Sequence, residues 1–401
     1  MLDYDPFSDA AMRDPHAEYR KLRKKTGPYF IEKYNAWALV HFDDIWKVSV
    51  QHEADMTFTA GQPLTNVLLN EPVPHAFPSM DLSEHRKWRR IVHADYTKSN
   101  VEADRPRIEA LARELLAPLA ERGRFDFYTD YVNRLFAINA GHNLGLDRDE
   151  SVEWRRLIDE TMHRETGQVG TSSPRNQAAA MELFGQLHAY VEGLRRNPER
   201  AGGHIRKYLE AEVDGRRLEN QDIVSLLVIF LTVGSGTTPN VCAGAVYYLA
   251  QHPDQQREVL DDRSLTPRAF FEAARYDQPT NILCRRAIKD IPVGGETIRA
   301  GQNILMVYAS ANRDEAEFER AGEFDIFRSY SRDLTYGIGG HKCLGMHLAT
   351  MAGTIALDEF FSISGRYRVD SARCTRAYGE FLSGFDHVPV ELGGYSGQRE
   401  M

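Results

Sequence analysis

The stretch YGIGGHKCLG, Tyr336 to Gly345, constrains this chain more than any other. It packs four glycines around one of only four cysteines, with His341 and Lys342 just before the sulfur. A structural cysteine in a core needs no such surroundings. Glycines let backbone wrap closely around a ligand or a sulfur, so Cys343 reads as a thiolate that faces something. The residues after it, LGMHLATMAGTIALDEFF, continue as an apolar helix whose N-terminal dipole favours a thiolate at Cys343. Three chemistries compete. A phosphate loop needs a Ser or Thr after its lysine, and here Cys343 stands there. A zinc site from His341, Cys343 and His347 has no fourth ligand nearby. The third is a thiolate bound axially to haem iron, with backbone N–H groups tuning the sulfur.

Length and composition set the frame for that turn. The chain has 401 residues, 42% hydrophobic and 27% charged, as expected of a globular protein. Its net charge of −9 argues against nucleic acid as the main partner. Cys242, Cys284, Cys343 and Cys374 are too scattered for a disulfide framework or a tetrathiolate zinc site. The N-terminus is acidic and lacks an apolar run, and the longest apolar run, Ile223 to Gly234, is too short to span a bilayer. A cytoplasmic protein with no membrane segment is expected. Apolar residues at three- and four-residue spacing predict helices in DPHAEYRKLRKK, HRKWRRIVHADY, RIEALARELLAPLAER, NQAAAMELFGQLHAYVEGLRR, DIVSLLVIFLTVG and PRAFFEAARY. Strand patterns fall only at GPYFIEKYNAWALVHF and RRAIKDIPVGGETIRAGQNILMVY. The expectation is one large domain over residues 1–401, mainly α with small β-sheets.

Around the cysteine, Tyr336, Gly337, Gly339, His341, Cys343 and Gly345 match the pattern Phe-Gly-x-Gly-x-His-x-Cys-x-Gly, with tyrosine for phenylalanine. The chain resembles a cytochrome P450. Other segments agree in order: EAAR (Glu272 to Arg275) with the Glu-x-x-Arg of the K helix, then ANRDEAEF and FDIFR, whose Arg328 would complete a scaffold network with Glu272 and Arg275. The resemblance implies the P450 fold, haem b as cofactor and Cys343 as the iron ligand. Tyr336 and Gly337 would open the haem-binding turn, and His85, Arg89, Arg285 and His341 would hold the propionates. Taken alone, HRKWRR reads as a solvated basic helix face.

The long central helix resembles the I helix of the family, with one departure. The family reads Ala/Gly-Gly-x-Asp/Glu-Thr-Thr; this chain reads Val233-Gly234-Ser235-Gly236-Thr237-Thr238, so Gly236 replaces the acid. The acid normally helps pass protons towards bound oxygen, and the threonine hydroxyl holds a water. Pro239 has no N–H, which leaves the Ser235 carbonyl without its helical partner. Ser235, Gly236 and Thr237 are therefore the candidate catalytic segment, a kink where ordered water could replace the acid. The plain alternative is that Pro239 and the two glycines merely bend the helix. By resemblance, substrate would meet residues of Phe58 to Pro78, then Ile229, Thr232 and Val233, then Asn281 to Leu283, then Phe381 and Leu382. Thr232 and Asn281 could equally be satisfied by backbone.

The expected function is a monooxygenase that inserts one oxygen atom from O2 into a small or mid-sized apolar substrate. Ferredoxin and ferredoxin reductase are the expected electron donors, docking on Arg86, Lys87, Arg90 and Lys342. The alternatives are a peroxide-using or nitric-oxide-reducing enzyme of the same fold, and a haem-based sensor without catalysis.

Overall fold

A computed structural model describes residues 3–57, 64–71 and 76–393. Helices dominate, as the periodicity requires. Those that build the central cavity are α1 (Leu82–His93), α2 (Arg105–Arg122), α3 (Asn133–Asn143), α4 (Arg148–Met162), α5 (Pro174–Arg196), α6 (Asn220–Gln251), α7 (Thr266–Tyr276) and α8 (Met346–Ser364). The termini carry the expected chemistry: Pro174 sits in the first turn of α5 behind the N-cap Ser173, and Asp147 and Glu150 close a capping box on α4.

α6 is the axis of the molecule. Its 32 residues run without interruption through Pro239 and pack against α3, α4, α5, α7 and α8. This corrects the reading of a short apolar run: the helix is long and apolar enough to cross a membrane, but 67% of its most apolar window is buried inside the protein. The helix buries its apolar surface in two core clusters, one with α2, α3, α7 and α8, the other with α1, α4 and α5.

The sheets lie at the edge. The larger has five strands, β1 (Tyr29–Ile31), β2 (Ala36–Leu39), β3 (Met56–Thr57), β4 (Leu283–Ala287) and β5 (Asn303–Met306), in the order β1-β2-β5-β4-β3. Only the β2–β5 pair is parallel. Both strand-bearing segments of the sequence meet in this sheet, although more than 240 residues separate them in the chain.

Two buried charge networks fix the chain beyond α7. Arg275, fully buried, grips Glu272 through Nε (2.8 Å) and Nη2 (2.7 Å), and donates to the carbonyls of Asn312 and Ala321. Arg328 Nε reaches Glu272 Oε1 at 3.3 Å, so the expected trio does meet. In the second network Arg376 holds Asp277 with two bonds of 2.8 Å, and Tyr248 donates to the same carboxylate at 3.0 Å. That pair ties the segment after α7 to the late turn, where Asn281 N donates to the Phe381 carbonyl and Ser383 N to that of Pro279. Both stretches line the cavity.

His16 packs against Asp277, its Nε2 3.5 Å from Oδ1. Burial lowers its pKa to about 4, the Arg313 charge adds to the effect, and Asp277 opposes it. The folded value lies below that of the unfolded chain, near 6.5, so the unfolded state takes up the proton first. Stability should therefore fall as pH drops from 6.5 towards 4, by up to about 3 kcal/mol from this residue. Urea unfolding at pH 7 and pH 4.5 should show a shallower loss in His16→Gln than in the wild type; equal losses would refute this.

Candidate active site

The cysteine turn is a loop closed on itself. Cys343 N donates to the Tyr336 carbonyl at 2.9 Å, Lys342 N to Gly339 O at 3.1 Å and Gly337 N to Leu334 O at 3.0 Å. Gly337 and Gly339 adopt φ of 64° and 84°, conformations that side-chain-bearing residues rarely take. Glu53, from the segment just before β3, fills the space beside the loop and accepts from Gly340 N (2.7 Å) and His341 N (3.2 Å). The Tyr336 hydroxyl, extra relative to phenylalanine, is shared with Thr350 Oγ1 at 2.7 Å on the first turns of α8.

The loop opens into a cavity of about 760 Å³ between α8 and α6. Cys343 is exposed and lines that cavity. Burial raises its thiol pKa, while the N–H of Gly345 and the charges of Arg89 and Lys342 lower it. Opposite the sulfur, Val233, Gly234, Thr237 and Thr238 present one face of α6. Thr237 Oγ1 leans back towards the Val233 carbonyl at 3.4 Å, a long bond that leaves the hydroxyl near the cavity. Apolar walls come from Ile229, Leu283, Phe381 and Phe230. At the far end Glu71 accepts from Thr171 N (3.0 Å), Thr171 Oγ1 (2.6 Å) and Ser172 Oγ (2.8 Å), joining the segment before α1 to the α4–α5 connection.

A ring of donors stands on one flank. His85 and Arg89 share a face of α1; Arg285 comes from β4. His85 stacks on His341 with ring centroids 3.9 Å apart, and its Nδ1 is buried without a hydrogen-bond partner among the described residues. Burial, then the charges of His341 and Arg89, push the His85 pKa down to about 3. Arg89 makes no ion pair among the described residues and touches only the Gly340 carbonyl, at 3.4 Å. Burial lowers the pKa of both Arg89 and Arg285.

These features agree with comparisons to known proteins. A family model described as Cytochrome P450 matches residues 171–362. A putative cytochrome P450 123 of Mycobacterium tuberculosis is 30% identical over 98% of this chain and 97% of its own length. The chain belongs to the cytochrome P450 family. Cyclomarin C epoxidase CymV of Salinispora arenicola is 30% identical over 89% of this P450 and 88% of its own length. Among solved structures, HmtN, a post-tailoring hydroxylase of himastatin biosynthesis, is 27% identical with a TM-score of 0.81, covering 96% of this chain and 100% of its own. The protein is thus a P450 monooxygenase that binds haem b, a family whose bacterial members generally use O2 and redox partners.

The side chains of this flank fit that cofactor. A buried, unpartnered imidazole nitrogen and two arginines whose charge burial disfavours suit a pair of propionates. By contrast, no three His, Cys, Asp or Glu side chains among the described residues converge as a metal cluster, so the zinc alternative has no geometric support.

Most of the residues expected from sequence reach this P450 cavity: His85, Arg89, Thr237, Ile229, Thr232, Val233, Leu283, Arg285, Tyr336, Gly337, His341, Cys343 and Phe381. Four do not. Asn281 is buried and does not line the cavity: its Oδ1 accepts from Tyr19 Oη (2.7 Å) and its Nδ2 donates to the Glu380 carbonyl (3.2 Å). Leu382 forms a backbone bridge with Thr280 and does not line the cavity. Ser235 and Gly236 lie on the back of α6 and do not line the cavity. His341 lines the cavity with its ring nitrogens on Glu53 (2.9 Å) and the Met80 carbonyl (3.1 Å). Of the stretch Phe58 to Pro78, residues 58–63 and 72–75 lie outside the described residues. Sequence reasoning missed Glu53, Glu71 and Arg155; the only signal for the last was an ordinary i,i+4 pair with Asp159.

Gly339 tests the loop directly. A Cβ there would lie 2.7 Å from Glu53 Oε2, and its φ is strained for alanine. Gly339→Ala should cost about 1–2 kcal/mol or more of stability. Denaturant midpoints read it, and an unchanged midpoint would show that the turn tolerates a side chain.

Proposed function

We propose that this P450 inserts one oxygen atom from O2 into an apolar substrate held between α6 and the cysteine turn, with Cys343 as the iron ligand. The carrying observation is the accessible Cys343 thiol facing Thr237 across a largely apolar cavity. Haem bound there supplies the oxygen chemistry. The chain's residues do the rest. The Gly345 N–H and the charges of Arg89 and Lys342 favour the thiolate form of Cys343. His85 Nδ1, Arg89 and Arg285 hold carboxylates on the flank. Thr237 Oγ1 can release its long bond to Val233 and hold a water on the cavity side of α6. Ile229, Val233, Leu283 and Phe381 exclude bulk water and orient an apolar group, and Thr232 can place one polar group. The residues 1–401 act as one haem domain.

For electrons, a ferredoxin fits the exposed side of the cysteine turn. Arg86, Arg90 and Lys342 are exposed, and basic side chains on a chain of net charge −9 favour an acidic carrier. Lys87 is less available than its sequence suggested, because Glu84 and Asp214 both hold it.

Cys343→Ser should abolish the thiolate signature of the reduced, carbon-monoxide-bound form, while a retained thiolate band would refute the assignment. Arg89→Ala should weaken haem retention, since losing one cation beside a partly buried carboxylate costs about 1–3 kcal/mol. Haem transfer to apomyoglobin measures it, and a wild-type rate would remove Arg89 from the haem site.

A further inference from the structure

The back of α6 carries a polar cluster that the cavity does not use. With 3.6 residues per turn, Val233, Gly234, Thr237 and Thr238 face the cavity while Ser235, Gly236 and Asn240 face the other way. There α4 delivers Arg155, its side chain 8% exposed. Arg155 Nη1 donates to Ser235 Oγ at 3.1 Å, and a Cβ on residue 236 would come within 3.2 Å of the same nitrogen. The other edge of the guanidinium grips Asp159, one turn along α4, at 2.5 Å and 3.1 Å. The Asp159 side chain is 45% exposed. A carboxylate in water, a buried guanidinium and a serine hydroxyl thus form a continuous polar line from solvent to α6.

The turn it reaches is already loosened. Ser235 Oγ donates to the Leu231 carbonyl, and Asn240 Nδ2 donates to Gly236 O at 3.0 Å. Side chains that bond back to carbonyls bend a helix. Pro239 cannot donate to the Ser235 carbonyl, which adds an acceptor on the same face. Tyr128 borders the cluster beside Arg155 and Asn240, and Asn240 Oδ1 accepts from Phe385 N at 2.9 Å.

We propose that Arg155 and Asp159 together take the place of the acid missing at position 236. Asp159 exchanges protons with bulk solvent, and Arg155 fixes a polar groove along which water connects Asp159 to Ser235 and, past the side-chain-free Gly236, to Thr237. This rests on the oxygen-activating reading of the cavity. Proton balance is simple: the Asp159 carboxylate takes one proton from solvent, passes it to the groove's water and is a carboxylate again, nothing is oxidised or reduced, and Arg155 stays protonated throughout. Arg155 is a positioning residue. A glycine at 236 is then required rather than merely tolerated, because a carboxylate there would be captured by Arg155.

The test uses the holoenzyme with a ferredoxin system and O2 alone, reading the share of O2 released as hydrogen peroxide instead of water. Arg155→Leu and the surface variant Asp159→Asn should each raise that share by about threefold or more. Gly236→Asp placed in Arg155→Leu should bring it back towards wild type, a rescue that a purely structural role for Arg155 would not give. A second readout needs no turnover. In the diamagnetic reduced, carbon-monoxide-bound protein, the Arg155 Nε–H should exchange with solvent within minutes by 15N NMR despite its burial, and Asp159→Leu should slow it about tenfold. Unchanged peroxide in Arg155→Leu and Asp159→Asn, or exchange over many hours in the wild type, would overturn the relay while a normal thiolate band left the site reading intact. Loss of the thiolate band in the wild type would overturn both.

Discussion

At Gly353 the helix after the cysteine turn has no side chain, and Phe270 of α7 fills the space: a Cβ there would lie 2.2 Å from Phe270 Cε2. On the neighbouring side, Cys242 Sγ of α6 donates to the Gly353 carbonyl at 3.7 Å. Three helices therefore converge on one backbone position. α8 is a rigid rod, and Gly353 lies seven residues in, about 10 Å from its start. Thr237 precedes Cys242 by five residues, about 7.5 Å along α6. The close contact thus sets how far the cysteine turn stands from Thr237, and so the depth of the cavity between them. Any larger residue at 353 would lever α8 away from α7, and the turn would move with it.

The same logic explains which parts of the molecule the amino-acid sequence displays. The cysteine turn is legible because its constraints are local: glycines with positive φ, a loop closed by its own N–H groups and a helix start all fall within ten residues. The helices are legible from periodicity, and the pairing of His85 with Arg89 from i,i+4 spacing. The five-stranded sheet is legible only as two strand-like segments, since its register is set by contacts across most of the chain. Asn281 shows the limit. Its position beside the cavity wall follows from the resemblance, but whether the amide faces inwards depends on Tyr19, more than 260 residues away. Glu53 and Glu71 look like ordinary surface acids in the sequence. They become specific only when the fold brings Gly340 and His341 to one, and Thr171 and Ser172 to the other.

The missing acid is the instructive case. Its absence is plain in the sequence, and a bent, watered helix is a fair local answer to it. The fold adds a second answer from elsewhere, because α4 crosses the back of α6 and Arg155 arrives where a carboxylate would have pointed. A buried arginine needs a partner, and Asp159 and Ser235 provide one charge and one hydroxyl. Substituting an acid for Gly236 while leaving Arg155 in place would therefore build an ion pair, not a free relay.

Charge also separates the two histidines that the sequence presents as equivalent. Their rings stack at 3.9 Å, too close for two positive charges to sit without strong repulsion. Glu53 and the Met80 carbonyl engage His341. His85 has no such acceptor on Nδ1 among the described residues, is buried, and is pushed down to about 3, so it is neutral across the physiological range. A neutral imidazole can present one N–H to a carboxylate without adding charge to a flank that already holds Arg89 and Arg285. Glu53 meanwhile ties the cysteine turn in place, accepting from Gly340 N and His341 N as well as bonding the His341 ring. The two positions therefore tolerate different substitutions: a glutamine can replace the donor function of His85, whereas at 341 it would also have to satisfy a carboxylate that the loop backbone holds in place.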